Sequence, residues 1–342
     1  MPQYAARLIR AAMEQMGEQC AVIGSRPDVP VEGMESILGD TITWIDANSP
    51  VTWRDLGLAT PKVYVQSGWA YPAFTALGRE VKTAGGHVIG LSDANWRGDF
   101  RQLVMGPVAF RMRHRKHFDA MLVPGRQGAR LMRHFGVPKD RIHTGMYAAD
   151  PQLFYPGRPL ARRPKEFLFV GQLIARKNIL VLANAFLRFA ALHSGWSLRI
   201  CGSGPLRDRI PYHPRLLVED FVQPGELVDR FQNARFLVLS SRREAWGLVV
   251  HEAALCGCGL LLSGTIGSAD DLATDRNAIR FRPSDEGDLV RALSLAASRD
   301  DAWLLEAECE SLRLAAMFSP QKFASAIVTL VEQFQRKDAR RP

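Results

Sequence analysis

The sequence predicts an α/β protein of two domains, each built on a parallel β-sheet with helices on both faces. Short apolar runs alternate with helical patterns in both halves of the chain, which is typical of parallel sheets. A stretch with four prolines, residues 150–164, separates the two halves. A chain of 342 residues is also longer than one ordinary core requires.

The first domain is expected to span residues 1–150, followed by a linker over residues 151–165. Helices are expected before, between or after its strands. The runs that predict strands are residues 20–25, 41–46, 62–66, 87–92 and 120–124.

The second domain, residues 166–318, shows the same alternation more regularly. Its strands are predicted at residues 166–170, 197–201, 216–219, 235–239 and 259–263, and its helices at residues 178–193, 225–232 and 248–256. A C-terminal helix, residues 319–342, is expected to pack back on the first domain. Two such domains joined by a proline-rich hinge predict a cleft that holds the active site.

The composition is that of a soluble globular protein, with 47% hydrophobic and 23% charged residues. The sequence contains no uninterrupted apolar run of about 18 residues, so no transmembrane helix is predicted. No signal peptide is recognised at the N-terminus. A cytoplasmic protein is therefore expected. The five cysteines favour reduced thiols, and no metal site is predicted. A net charge of +9 indicates a polyanionic partner: nucleic acid, an acidic membrane surface or a phosphorylated substrate.

Two carboxylates eight positions apart, Glu244 and Glu252, are the most informative feature. The first follows the buried run 235–240, and the second lies in a helix predicted to start at Leu248 and to end at Gly257. A carboxylate accepts hydrogen bonds from two hydroxyls at once, which suits the diols of sugars and riboses. The alternative is that Glu244 is a solvated loop residue and Glu252 a first-turn acid favoured by the helix dipole.

Three glycine-rich strand exits accompany this pair. The first has Gly171 after strand 166–170, with Arg176 and Lys177 at the start of the next helix. Backbone N–H groups, the helix dipole and a lysine together suit a diphosphate. The second exit contains Gly202, and the third spans residues 264–270. A glycine after a strand is common in ordinary turns, so each of these exits alone is weak evidence for a binding site.

Together, in this order and at these intervals, these segments resemble the retaining glycosyltransferases of family 4, which have the GT-B fold. The resemblance is strongest over residues 167–281 and identifies the pair as the Glu-x7-Glu motif that binds the donor. It implies two Rossmann-like domains whose parallel sheets face each other across a cleft. It also implies an enzyme of the hexosyltransferase type that needs no cofactor; an Asp-x-Asp metal motif is not found at a strand end.

The resemblance assigns the transferred sugar to Glu244, the nucleotide ribose to Glu252 and the diphosphate to Lys177. Family members carry Arg after the first glycine, where this chain has Gln172, and whether Arg176 replaces that cation stays open. The remaining donor contacts it implies are the strand exits Gly171 and Gly202, the base loop with Phe221 and Val222, and the helix start with Gly247, Leu248 and Val249.

The first half resembles the family's acceptor domain mainly in its last part, residues 119–154. It begins with a helix where the family has a strand, so that first strand is missing or replaced, or the true start lies upstream. Asp93, after the strand ending at Leu91, is the candidate near the anomeric carbon, and its alternative role is a helix cap. The candidates for the acceptor pocket are Gly68, Trp69, Asn95 and Trp96, with Trp69 alternatively a core residue.

A segment of mixed character, residues 100–118, combines large apolar side chains with five cations and no acid. This is the composition of a helix lying on anionic lipid, and the alternative is an ordinary solvated face. The apolar members are Phe100, Leu103, Val104, Met105, Phe110 and Met112, and the cations are Arg101, Arg111, Arg113, Arg115 and Lys116.

The function expected from these features is transfer of a sugar from a nucleoside-diphosphate sugar to a glycan or lipid-linked acceptor in envelope polysaccharide or glycolipid synthesis. Lys177, Glu244 and Asp93 are its catalytic candidates, and the enzyme is expected to be peripheral on the inner face of the cytoplasmic membrane. One alternative is a GT-B nucleotide-sugar epimerase, which needs a further acid or base. Another is a basic nucleic-acid-binding protein, for which no recognisable motif is found.

Overall fold

The computed structural model describes residues 3–17, 20–26, 34–38 and 42–340. The chain divides into two compact units. Unit 1 comprises Met1–Ala148 and Phe318–Pro342, and unit 2 comprises Ala149–Met317. Each unit contains parallel strands and helices, so the α/β class predicted from the sequence is confirmed.

Unit 1 begins with a helix, and short strands and helices then alternate. Two short strands pair in parallel, β1 with β2, and four others form a parallel sheet in chain order, β3-β4-β5-β6. In order, its elements are α1 (Gln3–Met16), β1 (Val22–Gly24), α2 (Met34–Leu38), β2 (Ile42–Trp44), β3 (Val63–Ser67), α3 (Pro72–Thr83), β4 (His87–Leu91), a π-helical turn (Arg101–Met105), α4 (Gly106–Arg113), β5 (Ala120–Val123), α5 (Arg126–His134) and β6 (Ile142–Thr144).

The five strands predicted in the first half are present near their predicted bounds; residue 41 lies outside the described residues. The sequence missed β6, in which Ile142 and His143 are half-buried, Thr144 is exposed and no apolar run occurs. Leu77, Val88 and Met121 lie in the core between sheet and helices.

Unit 2 contains a six-stranded sheet in which all pairings are parallel. Its elements are β7 (Glu166–Val170), α6 (Ile179–Leu192), β8 (Ser197–Cys201), β9 (Leu216–Glu219), α7 (Pro224–Asn233), β10 (Phe236–Leu239), α8 (Leu248–Leu255), β11 (Gly259–Ser263), α9 (Ala269–Leu272), β12 (Ala278–Phe281), α10 (Glu286–Ala297) and α11 (Asp301–Ala315). The strands β7, β10 and β11 are almost fully buried, as their apolar runs predict.

The proline-rich segment expected as a linker is packed into unit 2. The ring of Phe154 lies 5.8 Å from that of Phe231, and Leu160 is buried. Arg163 is also buried, and its guanidinium donates to the carbonyl oxygens of Ala234 (3.2 Å) and Cys256 (2.7 Å). Composition alone does not reveal that Phe154, Leu160 and Arg163 are core residues, because most of the other side chains in this segment are exposed.

The C-terminal helix α12 (Pro320–Ala339) belongs to unit 1 and packs against α1. The ring of its Phe334 stacks on that of His87 at 4.3 Å, and Asp338 lies 3.1 Å from the Nε2 atom of His87. By length and composition, residues 301–339 could span a membrane. They form two helices instead, α11 and α12, each with a row of buried apolar residues, as expected for core helices.

The imidazole of His251 joins the two ends of unit 2. Its Nδ1 atom accepts a hydrogen bond from the amide of Ala149, the first residue of the unit, at 2.9 Å. Its Nε2 atom lies 2.9 Å from the carbonyl oxygen of Ala315, near the last residue. Nε2 therefore carries the proton, and burial lowers the pKa of His251 to about 4.

We expect His251→Ala to lower the free energy of unfolding by about 2 to 5 kcal/mol, because two buried backbone groups lose their partner. The stability advantage of the wild-type protein over this variant should also shrink by roughly 2 kcal/mol between pH 7.5 and pH 5, because His251 takes up a proton in the unfolded chain near the ordinary histidine pKa of 6.5 and does not in the folded chain. Urea denaturation at the two pH values measures both effects. An equally large pH effect in the variant would contradict the assignment.

Candidate active site

The strand order of unit 2 creates a crevice at one sheet edge. The sheet runs β12-β11-β10-β7-β8-β9, so the chain moves outward from β7 to β9, returns to the centre at β10 and moves outward to the other side. This is the doubly wound order, and ligands bind beyond the carboxyl ends of the strands where the direction reverses. The reversal lies between β7 and β10, which pair directly.

The loop after β7 carries Lys177 in a short 3-10 turn, Ala175–Lys177. Asn178 follows with φ of 60°, a left-handed conformation that asparagine tolerates better than most residues. Two side chains from the loop after β10 hold this turn. Ser240 donates to the Lys177 carbonyl oxygen at 2.9 Å, and the Nε atom of Arg242 donates to the Asn178 amide oxygen at 3.1 Å.

Glu244 and Lys177 form an ion pair at this point, with the ammonium group donating to the Oε2 atom of Glu244. The hydroxyl of Ser241 donates to the same oxygen at 3.1 Å, and the guanidinium of Arg176 lies 3.5 Å from Oε1. The Glu244 side chain is only 12% exposed. Glu244 is therefore not the solvated loop residue of the alternative interpretation, and the structure brings three predicted donor residues together.

Arg176 differs from Lys177 in its exposure. Its side chain is 44% exposed, whereas that of Lys177 is 11% exposed. The guanidinium donates to the carbonyl oxygen of Arg243 at 3.0 Å, which holds it beside Glu244. The side chain of Gln172, at the position where the family has its arginine, is exposed on the same loop. Arg176 is thus the cation that stands next to Lys177.

Helix α8 begins at Leu248, and Gly247 precedes it as the N-cap residue, directly after the Glu244 loop. Gly247 has φ of 89°, a left-handed conformation that favours glycine. The amides of Leu248 and Val249 are in the first turn, and no acceptor for them is found among the described residues. These amides and the positive end of the helix dipole suit an anion.

Glu252 lies one turn further along α8 and is partly buried. Burial raises the pKa of its carboxyl to about 7, because the charged form is poorly solvated there. In the part of the chain that the structure describes, no side chain donates a hydrogen bond to it. Glu252 is also too far into the helix for the first-turn acid of the alternative interpretation.

The third predicted loop, residues 264–270, supports the Glu244 loop. The hydroxyls of Ser263 and Thr265 both donate to the Ser241 carbonyl oxygen, at 2.6 and 2.8 Å. Gly267 is essential for this packing, since a Cβ atom there would lie 1.9 Å from the carbonyl oxygen of Ala245. The sequence missed these serine and threonine contacts, whose only signal is a small polar side chain at a strand end.

The second predicted loop supports the β7 exit in a similar way. Gly202 packs on Gly171, and a Cβ atom at Gly202 would lie 1.9 Å from the Gly171 carbonyl oxygen. Beyond β9, Phe221 is 44% exposed and Val222 is partly buried. They are positioned at the next strand end along the same sheet edge.

A charged network that the sequence did not reveal holds the end of β9. Arg199 binds both oxygens of Glu166, at 3.0 and 3.1 Å, and also contacts Glu219, which Arg230 reaches at 2.8 Å. Partial burial acts to raise the pKa of Glu219, but the hydrogen bonds from Arg230 and Arg199 outweigh it and leave the pKa below its usual range. These residues line a cavity of about 330 Å³.

In unit 1, Asp93 lies exposed after β4, in a segment without regular secondary structure. It does not cap a helix. The cap of the following helical turn is Asp99, whose Oδ1 atom accepts a hydrogen bond from the Gln102 amide at 2.9 Å. Asp93 has no hydrogen-bond partner among the described residues, which leaves its carboxylate available to a ligand.

The acceptor candidates lie in the same unit. Gly68 has φ of 62° and donates to the Leu91 carbonyl oxygen at 2.8 Å. The ring of Trp69 packs on Phe110 at 5.4 Å, as the core interpretation predicts. The ring of Trp96 is covered by the guanidinium of Arg130 at 4.4 Å, and Asn95 accepts a hydrogen bond through its backbone carbonyl.

Residues 156–302 match the family model of the glycosyl transferases group 1. Unit 2 therefore carries a group 1 glycosyltransferase domain. The glycosyltransferase class predicted from the sequence is confirmed at the level of this domain. The matched range includes the Lys177–Glu244 pair and Glu252.

Two curated relatives support the same class. A glycogen synthase of Mycobacterium tuberculosis is 30% identical over 177 residues, which is 48% of this chain and 43% of that protein. A D-inositol 3-phosphate glycosyltransferase of Pseudarthrobacter chlorophenolicus is 28% identical over 215 residues, 52% of this chain and 50% of that protein. The matches thus span about half the length of these relatives.

Solved structures show the fold. A glycosyltransferase from Rickettsia africae has a TM-score of 0.71 at 9% identity, covering 96% of this chain and 94% of that one. A sucrose-phosphate synthase from Thermosynechococcus elongatus has a TM-score of 0.63 at 17% identity, covering 83% of this chain and 76% of that one. The GT-B fold predicted from the sequence is confirmed.

We expect Glu252→Gln to stabilise the free protein at pH 8. The raised pKa means that the Glu252 carboxyl lowers the free energy of unfolding as the pH rises from about 4.5 to 7, because it must ionise where its charge is poorly solvated. The amide does not ionise, so the variant should gain roughly 1 to 3 kcal/mol at pH 8 and nothing at pH 4. Thermal denaturation at both pH values measures this gain, and equal stability at pH 8 would contradict it.

Proposed function

We propose that this protein is a retaining glycosyltransferase of family 4 that moves a sugar from a nucleoside-diphosphate sugar to a glycan or lipid-linked acceptor. The observation that carries the proposal is the buried Lys177–Glu244 pair between β7 and β10, beside the unpartnered amides of α8. It combines a site for a diphosphate with a carboxylate for sugar hydroxyls. The match of residues 156–302 to group 1 glycosyltransferases supports it independently.

The donor would bind along the sheet edge of unit 2. The amides of Leu248 and Val249 would hold the diphosphate together with Lys177 and Arg176. Glu252 would accept hydrogen bonds from the ribose hydroxyls. The base would lie against Phe221, whose exposed ring suits stacking.

Transfer requires that the bond between the sugar and the diphosphate breaks, and negative charge then grows on the departing phosphate. Lys177 and Arg176 stabilise this charge more strongly in the transition state than in the bound donor. Glu244 holds the sugar through its hydroxyls and keeps Lys177 in place. Retention follows if the acceptor hydroxyl attacks on the face that the diphosphate leaves, and Asp93 is the proposed group near that carbon.

The biological setting proposed is envelope polysaccharide or glycolipid synthesis on the inner face of the cytoplasmic membrane. The net charge of +9 supports an anionic surface as partner. The experiment that tests the activity is a screen of nucleotide sugars for thermal stabilisation, followed by transfer to candidate acceptors and determination of the product's anomeric configuration by NMR. An inverted product would refute the retaining mechanism, and the absence of both stabilisation and turnover would refute the donor class.

We expect Glu252→Gln to weaken binding of the matching nucleoside diphosphate by about 10- to 150-fold, because hydrogen bonds to a charged group are worth roughly 1.5 to 3 kcal/mol. Wild-type affinity should rise as the pH rises through about 7, since only the ionised carboxylate accepts from both hydroxyls. Affinity of the variant should change little over that range. Calorimetry at pH 6 and pH 8 decides, and an identical pH dependence of both proteins would exclude Glu252 as the ribose ligand.

We expect Lys177→Ala to reduce kcat by about 100-fold or more, because the lost cation acts on charge that develops in the transition state. Binding of the nucleoside without phosphates should change little. Arg176→Ala is the matched control for the second cation, with a smaller expected loss because its guanidinium is more exposed. If Lys177→Ala kept near-normal turnover at saturating donor and Arg176→Ala did not, Arg176 would be the catalytic cation.

A further inference from the structure

Large apolar side chains lie exposed in one short stretch of unit 1. They are Phe100 (72% exposed), Leu103 (43%), Val104 (49%), Met105 (59%), Val108 (56%) and Met112 (82%). Elsewhere in the described residues, exposed apolar side chains of this size are scattered along the sequence, which is normal for a protein surface. A cluster of this kind indicates an interaction surface.

The helical geometry explains why these side chains point outward. The π-helical turn Arg101–Met105 continues directly into α4, and only one narrow side of this segment is buried, at Gln102, Pro107 and Phe110. The absence of a side chain at Gly106 lets the helix approach the ring of Phe135, which a Cβ atom would meet at 2.8 Å. One side is thus anchored in unit 1 and the rest faces solvent.

Two predictions for this segment are corrected by the contacts. Phe110 is 4% exposed and packs against Phe118 and Phe135, so it is a core residue and not part of the surface. Val108 takes its place. Arg111 donates to the Phe135 carbonyl oxygen at 3.2 Å, so its guanidinium also helps to hold the helix.

The other cations are exposed and have no structural partner. Arg101, Arg113, Arg115 and Lys116 are not paired with any carboxylate of the described residues. Residues 100–118 contain no acid at all. The exposed apolar side chains are therefore flanked by four uncompensated positive charges.

We propose that this membrane-docking surface, defined as the exposed side chains of residues 100–116, binds an anionic lipid bilayer. The apolar side chains insert between headgroups and the cations bind lipid phosphates. Nucleic acid offers phosphates but no apolar phase for six such side chains. A second copy of the chain would place these cations against each other.

Hydrogen bonds join the docking surface to the loop that carries the acceptor candidates. The buried side chain of Gln102 donates to the Asn95 carbonyl oxygen at 2.9 Å and accepts from the Arg97 amide at 2.7 Å. The loop that carries Asp93, Asn95 and Trp96 is thus held to the docking helix. In combination with the proposed function, on which this step rests, a lipid-linked acceptor is favoured over a soluble glycan.

Co-sedimentation with phosphatidylglycerol-rich and with neutral phosphatidylcholine vesicles tests the surface without any donor or acceptor. We expect the wild-type protein to bind the anionic vesicles and not the neutral ones. Reversal of Arg113, Arg115 and Lys116 to Glu should weaken partitioning by at least about 100-fold, since each cation near the bilayer is worth about 1 kcal/mol. The matched control reverses three exposed cations elsewhere that form no salt bridge with a described residue, Arg54, Arg162 and Lys165, and should bind far more tightly than the first variant.

A second variant tests insertion. Phe100, Met105 and Met112 are changed to Ser, which should weaken binding to anionic vesicles by about 10-fold or more while the melting temperature stays the same, because the replaced side chains are exposed. Equal binding to both vesicles, binding to neither, or a loss no larger in the surface variants than in the control would overturn the proposal. Tighter binding to duplex DNA through the same cations would also overturn it. The affinity of each variant for the nucleotide-sugar donor is measured as well. Normal donor affinity without vesicle binding would refute the docking surface alone, and absent donor binding would refute the proposed function.

Discussion

The adjacency of β7 and β10 is the constraint on which the candidate site depends. Because these strands pair in parallel while their loops lead to opposite sides of the sheet, both loops end in the same space. A charged side chain from one loop is poorly solvated in this space. The other loop must therefore supply a counter-charge to stabilise it. Lys177 and Glu244 meet this requirement for each other, and removal of Glu244 would leave the buried charge of Lys177 without its counter-charge.

The same constraint explains why the surrounding contacts are short and polar. Ser240 and Arg242 bind the Lys177 turn, and Ser263 and Thr265 bind the backbone of the Glu244 loop. Glycines at 202 and 267 allow backbone to lie against backbone without a side chain between them. Loops fixed in this way hold charged groups in place before a ligand arrives, and such preorganisation is what electrostatic stabilisation of a transition state requires.

Much of unit 2 could be predicted from the sequence because its strands β7, β10 and β11 are buried on both faces and therefore form continuous apolar runs. The placement of Glu244, Lys177 and the start of α8 at one sheet edge could also be predicted, because parallel strands present their carboxyl ends at the same edge. Residues defined by tertiary packing could not be predicted. In the sequence Arg163 is a charged residue of the predicted linker, but in the structure it binds buried carbonyl oxygens. Phe110 was predicted to face lipid, but it belongs to the core. Asp99 and not Asp93 caps the helical turn, and only the position of the helix start distinguishes them.

Glu244 and Glu252 lie eight positions apart in the sequence but in very different environments. Glu244 is surrounded by donors from three side chains, so its charge is compensated in the free protein. Glu252 has none among the described residues, and burial raises its pKa to about 7. The first turn of α8 likewise keeps donors without acceptors. In the described part of the chain, the Glu252 carboxylate, which lacks a donor, and the first-turn amides, which lack an acceptor, therefore lie one turn apart on the same helix. A ligand with hydroxyls for the carboxylate and an anion for the amides satisfies both at once. A ligand that satisfies these groups gains the free energy that the free protein lacks at α8. A substitution that removes such a group should therefore stabilise the free protein and weaken ligand binding.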